Sequence, residues 1–261
     1  METVLEFDGT FDGFLTTVFE VYNLKLQHPL FSRAGDHGSS LFGEMMIIST
    51  NLSKSKRVAY RLLQLCGKTQ FNTIYHAFLS EIDGIESHLW FYLQRTFKEG
   101  KPPTGDLGDK SVLEISKASK IFHREKHRME AFIRFHLIDD NLYFANCEPD
   151  CNVLPIIATH FKNRYADQRW VIYDLKRDYG ISYDLDKVSE VEIDFKESLG
   201  NTRGIRNVAG GSDSRFRESE NNYRHLWNQY FKSVNIESRK NMKLHLQHVP
   251  RRYWKYLSEK M

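Results

Sequence analysis

The chain has 261 residues, of which 41% are hydrophobic, 13% aromatic and 27% charged, and its formal net charge is +3. This composition excludes an intrinsically disordered chain, because 18 Phe, 13 Tyr and 4 Trp need a core that keeps them from water. It also excludes a collagen-like repeat, since there are only 15 Gly and 6 Pro, and a disulfide scaffold, since there are only three Cys.

The first half of the chain predicts one strand followed mainly by helices. Residues Thr3–Phe7 alternate between apolar and polar side chains, which is typical of a strand. From Phe11 to Tyr22 the apolar residues recur at intervals of three and four, so we predict an amphipathic helix capped by Thr10 or Asp12. The other predicted elements are a loop over 29–40, a strand over 41–49, a basic helix from Asn51 or Ser53 to Gly67, and helices over 74–82, 85–93 and 112–127.

The second half contains most of the predicted strands. Residues 153–164 predict a helix, and residues 188–195 place acidic side chains between apolar ones, as edge strands do. The other predicted elements are a hairpin of strands 131–137 and 142–147, a second hairpin of strands 170–173 and 180–183, and helices over 220–234, over 238–248 and from Pro250.

Helix-rich and strand-rich runs are segregated along the chain, which favours an α+β fold over a doubly wound sheet. We expect a small, mostly antiparallel sheet with packed helices and a helical, basic C-terminal section. The prediction is a single domain over 1–261, with an α+β body at 1–197. Residues 198–217 are rich in Gly, Asn and Ser and predict a flexible linker or loop, and 218–261 form the helical C-terminal section.

Charge is distributed unevenly along the chain. Residues 236–261 contain seven bases and two acids, a net charge of +5, whereas residues 184–197 contain six acids and two bases, a net charge of −4. A basic segment of this size indicates a surface for a polyanion. The alternative is a basic helix whose charges are only solvated.

Basic and aromatic residues alternate near the C-terminus, in the stretch PRRYWKYL. Nucleic-acid surfaces combine Lys and Arg for phosphates with aromatic rings for bases. The alternative is a terminal amphipathic helix that packs its aromatic residues on the body. Arg134 interrupts the predicted strand FIRF and would face away from its two Phe residues. The candidate nucleic-acid-binding residues are Arg239, Lys243, Arg251, Arg252, Tyr253, Trp254, Lys255, Arg134 and Arg164.

The sequence lacks the common motifs of cofactor and metal chemistry. It has no GxxxxGK[ST], no GxGxxG after a strand, no HExxH and no G-x-S-x-G. Cys147 and Cys151 form a C-x3-C pair, but no second pair follows, and Cys66 is distant. We therefore expect no cofactor and no bound metal.

If the protein is an enzyme, its acid or base must come from scattered polar residues. His160 lies in an otherwise apolar predicted helix, where it is either a satisfied core histidine or a group aimed at a site. His127 shares a helix face with His123 at a spacing of four residues. The weak catalytic candidates are His160, Asp167, Asp174 and His127.

The N-terminal stretch METVLEFDGTFDG has neither the basic start nor the apolar core of a secretion signal. No stretch approaches the roughly 18 apolar residues that a membrane-spanning helix needs. Three scattered Cys suit a reducing compartment. We expect a cytoplasmic protein that has no membrane partner.

Five stretches together resemble a bacterial family of proteins assigned to DNA repair or DNA metabolism and defined by a domain of unknown function. The resemblance runs from end to end, and its most specific parts are HFKNRYADQ, WVIYD and PRRYWKYL. The stretches are Phe7–Tyr22, Tyr75–Glu81, His127–Phe135, Leu154–Asp184 and Leu226–Glu259.

Members of that family are encoded beside a radical-SAM protein assigned to DNA modification or repair, and the same domain occurs fused to a uracil-DNA-glycosylase-like domain. This chain has no CxxxCxxC motif and no glycosylase motif. The resemblance therefore implies the accessory partner and not the redox enzyme. It carries no catalytic residues over to this chain.

Together, charge and resemblance favour a nucleic-acid-binding accessory protein of DNA repair, with DNA and a neighbouring radical-SAM protein as partners. The first alternative is a stand-alone enzyme that processes DNA lesions, as a glycosylase, nuclease or hydrolase. The second is a protein-interaction module without DNA affinity. In that case the basic segment would bind an acidic partner.

Overall fold

The computed structural model describes residues 3–35, 44–139, 142–192 and 249–257. The chain divides into two compact units, Met1–His123 (unit 1) and Arg124–Met261 (unit 2). The division rests on which residues contact one another and does not test how many domains the chain has. The single domain over 1–261 therefore stays a prediction. The predicted linker 198–217 and the helices predicted between residues 220 and 248 lie outside the described residues.

Unit 1 contains a three-stranded parallel sheet in the order β2-β1-β3. The predicted strand at 41–49 is confirmed as β3, but the loop prediction for 29–40 is wrong at its start, which forms β2. That segment pairs with the buried central strand β1, a long-range contact that its own pattern PLFSR does not reveal. The elements are β1 (Thr3–Phe7), α1 (Phe11–Asn23), β2 (Pro29–Arg33), β3 (Glu44–Ile47), α2 (Leu52–Leu79), α3 (Ile85–Glu99) and the start of α4 (Lys110–Phe132).

Local hydrogen bonds explain where the first two helices begin. The Thr10 hydroxyl accepts a bond of 2.9 Å from the backbone N–H of Gly13, so Thr10 is the N-cap of α1. The Asn51 side chain accepts bonds from the next turn and caps α2. Gly67 has a φ of 69°, which is outside the helical region, so the predicted helix end is a kink within α2.

Aromatic rings form much of the unit 1 core. Phe14 and Phe78 lie 5.5 Å apart between ring centroids, and Phe7 lies 6.1 Å from Phe14. The guanidinium group of Arg33 lies 4.5 Å from the Phe78 ring and forms an ion pair of 2.6 Å with Glu86. The charge of Arg33 is therefore compensated where it enters the core.

Unit 2 contains a five-stranded sheet in the order β4-β5-β6-β7-β8. Among the described strands of unit 2 only the β5–β6 pair is parallel, so the prediction of a mostly antiparallel sheet holds for unit 2 but not for the parallel sheet of unit 1. Both predicted hairpins and the edge position of β8 are confirmed. The elements are the end of α4, β4 (His136–Asp139), β5 (Leu142–Cys147), α5 (Leu154–Arg164), β6 (Arg169–Asp174), β7 (Tyr179–Tyr183), β8 (Val188–Val191) and a 3-10 helix (Arg251–Tyr256).

One local prediction in unit 2 is wrong at its start. Residues 131–132 continue α4, whose last turn is closed by a bond of 3.1 Å from the Ile133 N–H to the Met129 carbonyl, so the strand begins only at His136 and Arg134 lies on no strand. The predicted short helix from Pro250 is confirmed as a six-residue 3-10 helix, Arg251–Tyr256. The α+β class is confirmed. None of the described helices has an apolar stretch long enough to cross a membrane.

Candidate nucleic-acid interface

Unit 2 has a cleft of about 650 Å³ that brings together four cationic side chains from distant parts of the sequence. Strands β5 and β6 are parallel, with Cys147 beside Asp174, so their carboxyl ends meet at one edge of the sheet. The residues that follow the two strands therefore face the same space, which the 3-10 helix completes. This basic cleft is lined by Glu148, Asp150, Leu175, Lys176, Arg251, Arg252 and Lys255.

A buried ion pair fixes the two loops at the edge of the sheet. Asp174 is fully buried, and its carboxylate accepts a bond of 2.7 Å from Arg177 and one of 2.9 Å from the backbone N–H of Lys176. Arg177 also donates to the carbonyl oxygens of Pro149 and Asp150, at 3.1 and 3.0 Å. Asp174, a candidate catalytic residue from the sequence, thus holds the turn that presents Lys176.

The 3-10 helix is anchored by a second buried carboxylate. Tyr253 is 1% exposed, and its hydroxyl donates to Glu125, whose side chain is 2% exposed. Arg252 donates to the Tyr253 hydroxyl at 2.6 Å and forms an ion pair with Asp150. The backbone N–H of Asp150 donates to Glu125 at 2.8 Å. Burial raises the pKa of the Tyr253 hydroxyl, so the group remains a proton donor at neutral pH.

These contacts divide the predicted binding residues by role. Tyr253 is buried with its hydroxyl bonded, so its ring is not placed to stack on a base, contrary to the sequence prediction. Arg252 bonds to Asp150 and Tyr253 and ties the 3-10 helix to the body. Lys255 forms an ion pair of 2.6 Å with Glu148 and lowers the pKa of that carboxyl.

Arg251 and Trp254 present a different kind of surface. Arg251 is exposed, and its guanidinium group lies 5.9 Å from the Trp254 ring. The Trp254 indole N–H donates to the Val249 carbonyl at 3.1 Å, which fixes a ring that is partly exposed. Lys176 donates to the Asp150 carbonyl at 3.2 Å and makes no ion pair with a carboxylate among the described residues. A phosphate can therefore bind Arg251 and Lys176 without breaking a buried ion pair.

The remaining predicted binding residues do not line this cleft. The Arg134 guanidinium group donates to the Ala131 carbonyl at 2.6 Å. Arg164 is exposed and donates to the Tyr165 hydroxyl at 3.3 Å. Arg239 and Lys243 lie outside the described residues.

The structure does not bring the catalytic candidates together. No hydrogen bond or ion pair joins any two of the four, all of which are among the described residues. His160 lies 3.8 Å from Glu130, and its Nε2 atom is buried without a partner in the described part of the chain. His127 and Asp167 are exposed. The enzymatic assignment stays a prediction.

Cys147 and Cys151 are buried free thiols. Burial raises the pKa of the Cys147 thiol, so it stays protonated and is a poor metal ligand at neutral pH. In the described ranges, no group of three His, Cys, Asp or Glu side chains is placed to hold a metal ion.

A family model described as a domain of unknown function (DUF4130) matches residues 83–259, a span that includes every residue of the basic cleft. No curated protein and no solved structure matches the chain. Because the family model covers well over half of the sequence, the protein belongs to the DUF4130 family.

Proposed function

We propose that this protein binds nucleic acid through the basic cleft of unit 2 and serves DNA repair as the accessory partner of a radical-SAM enzyme. The observation that carries the proposal is the meeting of Lys176, Arg251, Arg252 and Lys255 at one cleft. Two carboxylates, Glu148 and Asp150, share the cleft and leave it with a net positive charge.

The geometry favours recognition of the phosphate backbone over recognition of sequence. Lys176 and Arg251 are point contacts for phosphates, which fix position but carry no base information. Trp254 offers a partly exposed ring beside Arg251, and such a ring stacks on any base that is unpaired or displaced. The arrangement therefore suits DNA whose bases are accessible, as they are at a lesion or in a single strand.

The radical-SAM partner rests on the family resemblance described above. The sequence lacks CxxxCxxC, so in this proposal the partner supplies the redox chemistry and this chain supplies DNA contacts. The chain is then non-catalytic, and its effect is on the partner's affinity for damaged DNA.

Fluorescence anisotropy over a salt series tests the cleft, with labelled duplex and single-stranded oligonucleotides. The double variant Lys176→Ala, Arg251→Ala should bind more weakly to every sequence. Two lost phosphate contacts should reduce the slope of log K against log salt by about 1.8 on duplex DNA. The matched control, Lys117→Ala with Lys120→Ala, removes two exposed charges from α4 and should leave the slope unchanged. Equal slopes for both double variants would refute the placement.

Adding the radical-SAM protein and ultraviolet-irradiated DNA tests the accessory role. We expect a complex that prefers irradiated over intact duplex and loses this preference in the Lys176→Ala, Arg251→Ala variant. Binding to the partner without any DNA affinity would replace the proposal with a protein-interaction module. Turnover of damaged DNA by this chain alone, abolished by His160→Ala, would replace it with an enzyme.

A further inference from the structure

Unit 1 has a basic surface of its own, on α2. Between Leu52 and Ser80 the chain contains five Lys or Arg residues and no Asp or Glu. Four of the five precede the kink at Gly67. A helix with continuous positive charge attracts polyanions.

Beside this part of α2 lies a groove of about 490 Å³ whose walls carry three aromatic rings. We call it the aromatic groove, and its rings are Phe19 and Tyr22 of α1 and Phe97 of α3. Tyr22 is 48% exposed, and its ring centroid lies 6.0 Å from that of Phe97. An exposed ring that is held by a second ring is a platform on which a base can stack.

Two arginines line the same groove. Arg57 and Arg61 are four residues apart on α2, so their backbones are separated by about 6 Å along the helix axis. The Arg57 guanidinium group lies 5.1 Å from the Phe19 ring, which holds it at the groove. Within the described residues neither arginine forms an ion pair with a carboxylate, whereas Lys54 is paired with Glu20. Both guanidinium groups are therefore open to phosphate.

We propose that the aromatic groove binds single-stranded nucleic acid, with a base against Tyr22 and phosphates on Arg57 and Arg61. An acidic peptide would satisfy the arginines, but its carboxylates would leave the exposed Tyr22 ring without a flat partner. A nucleotide provides both the planar ring and the anion, and Tyr22, Arg57 and Arg61 line the same groove. A volume of about 490 Å³ suits a bound base and its sugar.

This inference rests on the proposed nucleic-acid function and adds a separate site in unit 1. All of its lining residues except Phe97 precede residue 83, where the family match begins. The aromatic groove is therefore formed mainly by the N-terminal part of the chain, and it shares no lining residue with the basic cleft.

The test uses full-length protein and a fluorescein-labelled oligothymidylate of eight nucleotides. Tyr22→Leu should weaken binding about tenfold, whereas Tyr22→Phe keeps the stacking surface and should bind as the wild type does. Arg57→Ala with Arg61→Ala should reduce the salt slope by about 1.4, the value for two phosphate contacts to a single strand. Lys117→Ala with Lys120→Ala is the control, and circular dichroism checks that each variant is folded.

The outcomes separate the two sites. Weaker oligothymidylate binding in the Tyr22→Leu and arginine variants supports the aromatic groove whether or not the Lys176→Ala, Arg251→Ala variant also binds more weakly, so the inference can stand even if the basic cleft fails its own test. Unchanged binding in the folded groove variants overturns the inference, and the proposed function then stands or falls on the basic cleft alone. Wild-type protein that binds neither oligothymidylate nor duplex refutes both.

Discussion

Replacing Tyr253 with Phe removes one hydroxyl from the anchor of the 3-10 helix. In the native protein, Glu125 Oε1 accepts from that hydroxyl and from the backbone N–H of Asp150, at 2.8 Å. Glu125 Oε2 accepts from Arg128 and Arg252, each at 3.4 Å. After the substitution, the buried Glu125 carboxylate keeps only the backbone N–H of Asp150 and the two longer contacts to Arg128 and Arg252.

The expected loss follows from the burial of the two partners. A hydrogen bond to a charged group contributes about 1.5–3 kcal/mol, and the site is closed to replacement water because Tyr253 is 1% and Glu125 2% exposed. The second bond lost, from Arg252, contributes little because that side chain is 43% exposed and keeps Asp150 as its partner. We expect the free energy of unfolding to fall by about 2 kcal/mol and Tm by about 4–8 °C.

Urea denaturation measures the global change, and hydrogen exchange of residues 249–257 measures the local one. Tyr60→Phe is the matched control, because Tyr60 is 66% exposed and its hydroxyl has no partner among the described residues. The control should stay within about 0.5 kcal/mol of the wild type. If Tyr253→Phe does the same and residues 249–257 exchange no faster, the buried bond to Glu125 does not anchor the helix.

Three further predictions concern interactions and backbone geometry that stabilise the two units. Arg177→Ala leaves the fully buried Asp174 without its cation and should lower the free energy of unfolding by about 3–5 kcal/mol in urea titrations; a loss below about 1 kcal/mol would contradict the structural role of the pair. Gly67→Ala should cost about 1–3 kcal/mol from backbone strain alone, because φ 69° with ψ 169° is a region that almost only glycine adopts and an added Cβ meets no atom within 4 Å; an unchanged midpoint would show that the kink relaxes. Lys255 lowers the pKa of Glu148 below its ordinary value of 4.5. The ion pair therefore stabilises the folded state fully above pH 4.5, and this stabilisation is lost as the pH falls through the lowered pKa of Glu148. NMR titration should find the Glu148 midpoint below 4.5, and Lys255→Met should return it towards that value.

The sequence predicted those elements that depend on local patterns. The helix from Phe11 and both hairpins follow from side-chain periodicity and turn residues, and all are confirmed. Of the two predicted caps, Thr10 and Asp12, the structure shows Thr10. The strand at 29–33 was missed because it exists through parallel pairing with β1, a contact between distant segments. The strand predicted over 131–137 was wrong at its start because α4 continues to Phe132 and the Ile133 N–H closes its last turn on the Met129 carbonyl.

The sequence predicted which kinds of residue form the site, but not which of them lie together in the fold. Arg251, Arg252 and Lys255 do line one cleft, as their proximity in the sequence allowed. Lys176 joins them only because β5 and β6 are parallel, and no local pattern reveals which strands become neighbours. The burial of Tyr253 could not be predicted either, because alternating aromatic and basic residues fit an exposed surface and an anchored one equally well.

In the basic cleft, the charged groups that stabilise the loops are different from the charged groups that are exposed to a ligand. Asp174 with Arg177, and Glu125 with Tyr253, are buried and fix the loops, whereas Arg251 remains exposed. A ligand that meets a fixed cation loses less free energy to ordering of the protein. If that is the advantage of the anchor, Tyr253→Phe should weaken DNA binding although Tyr253 contacts no ligand. Its salt slope should fall only by the contribution of Arg251, about 0.9, because Lys176 stays on its own turn. A variant that is destabilised but binds DNA as the wild type does would show that Arg251 needs no anchor.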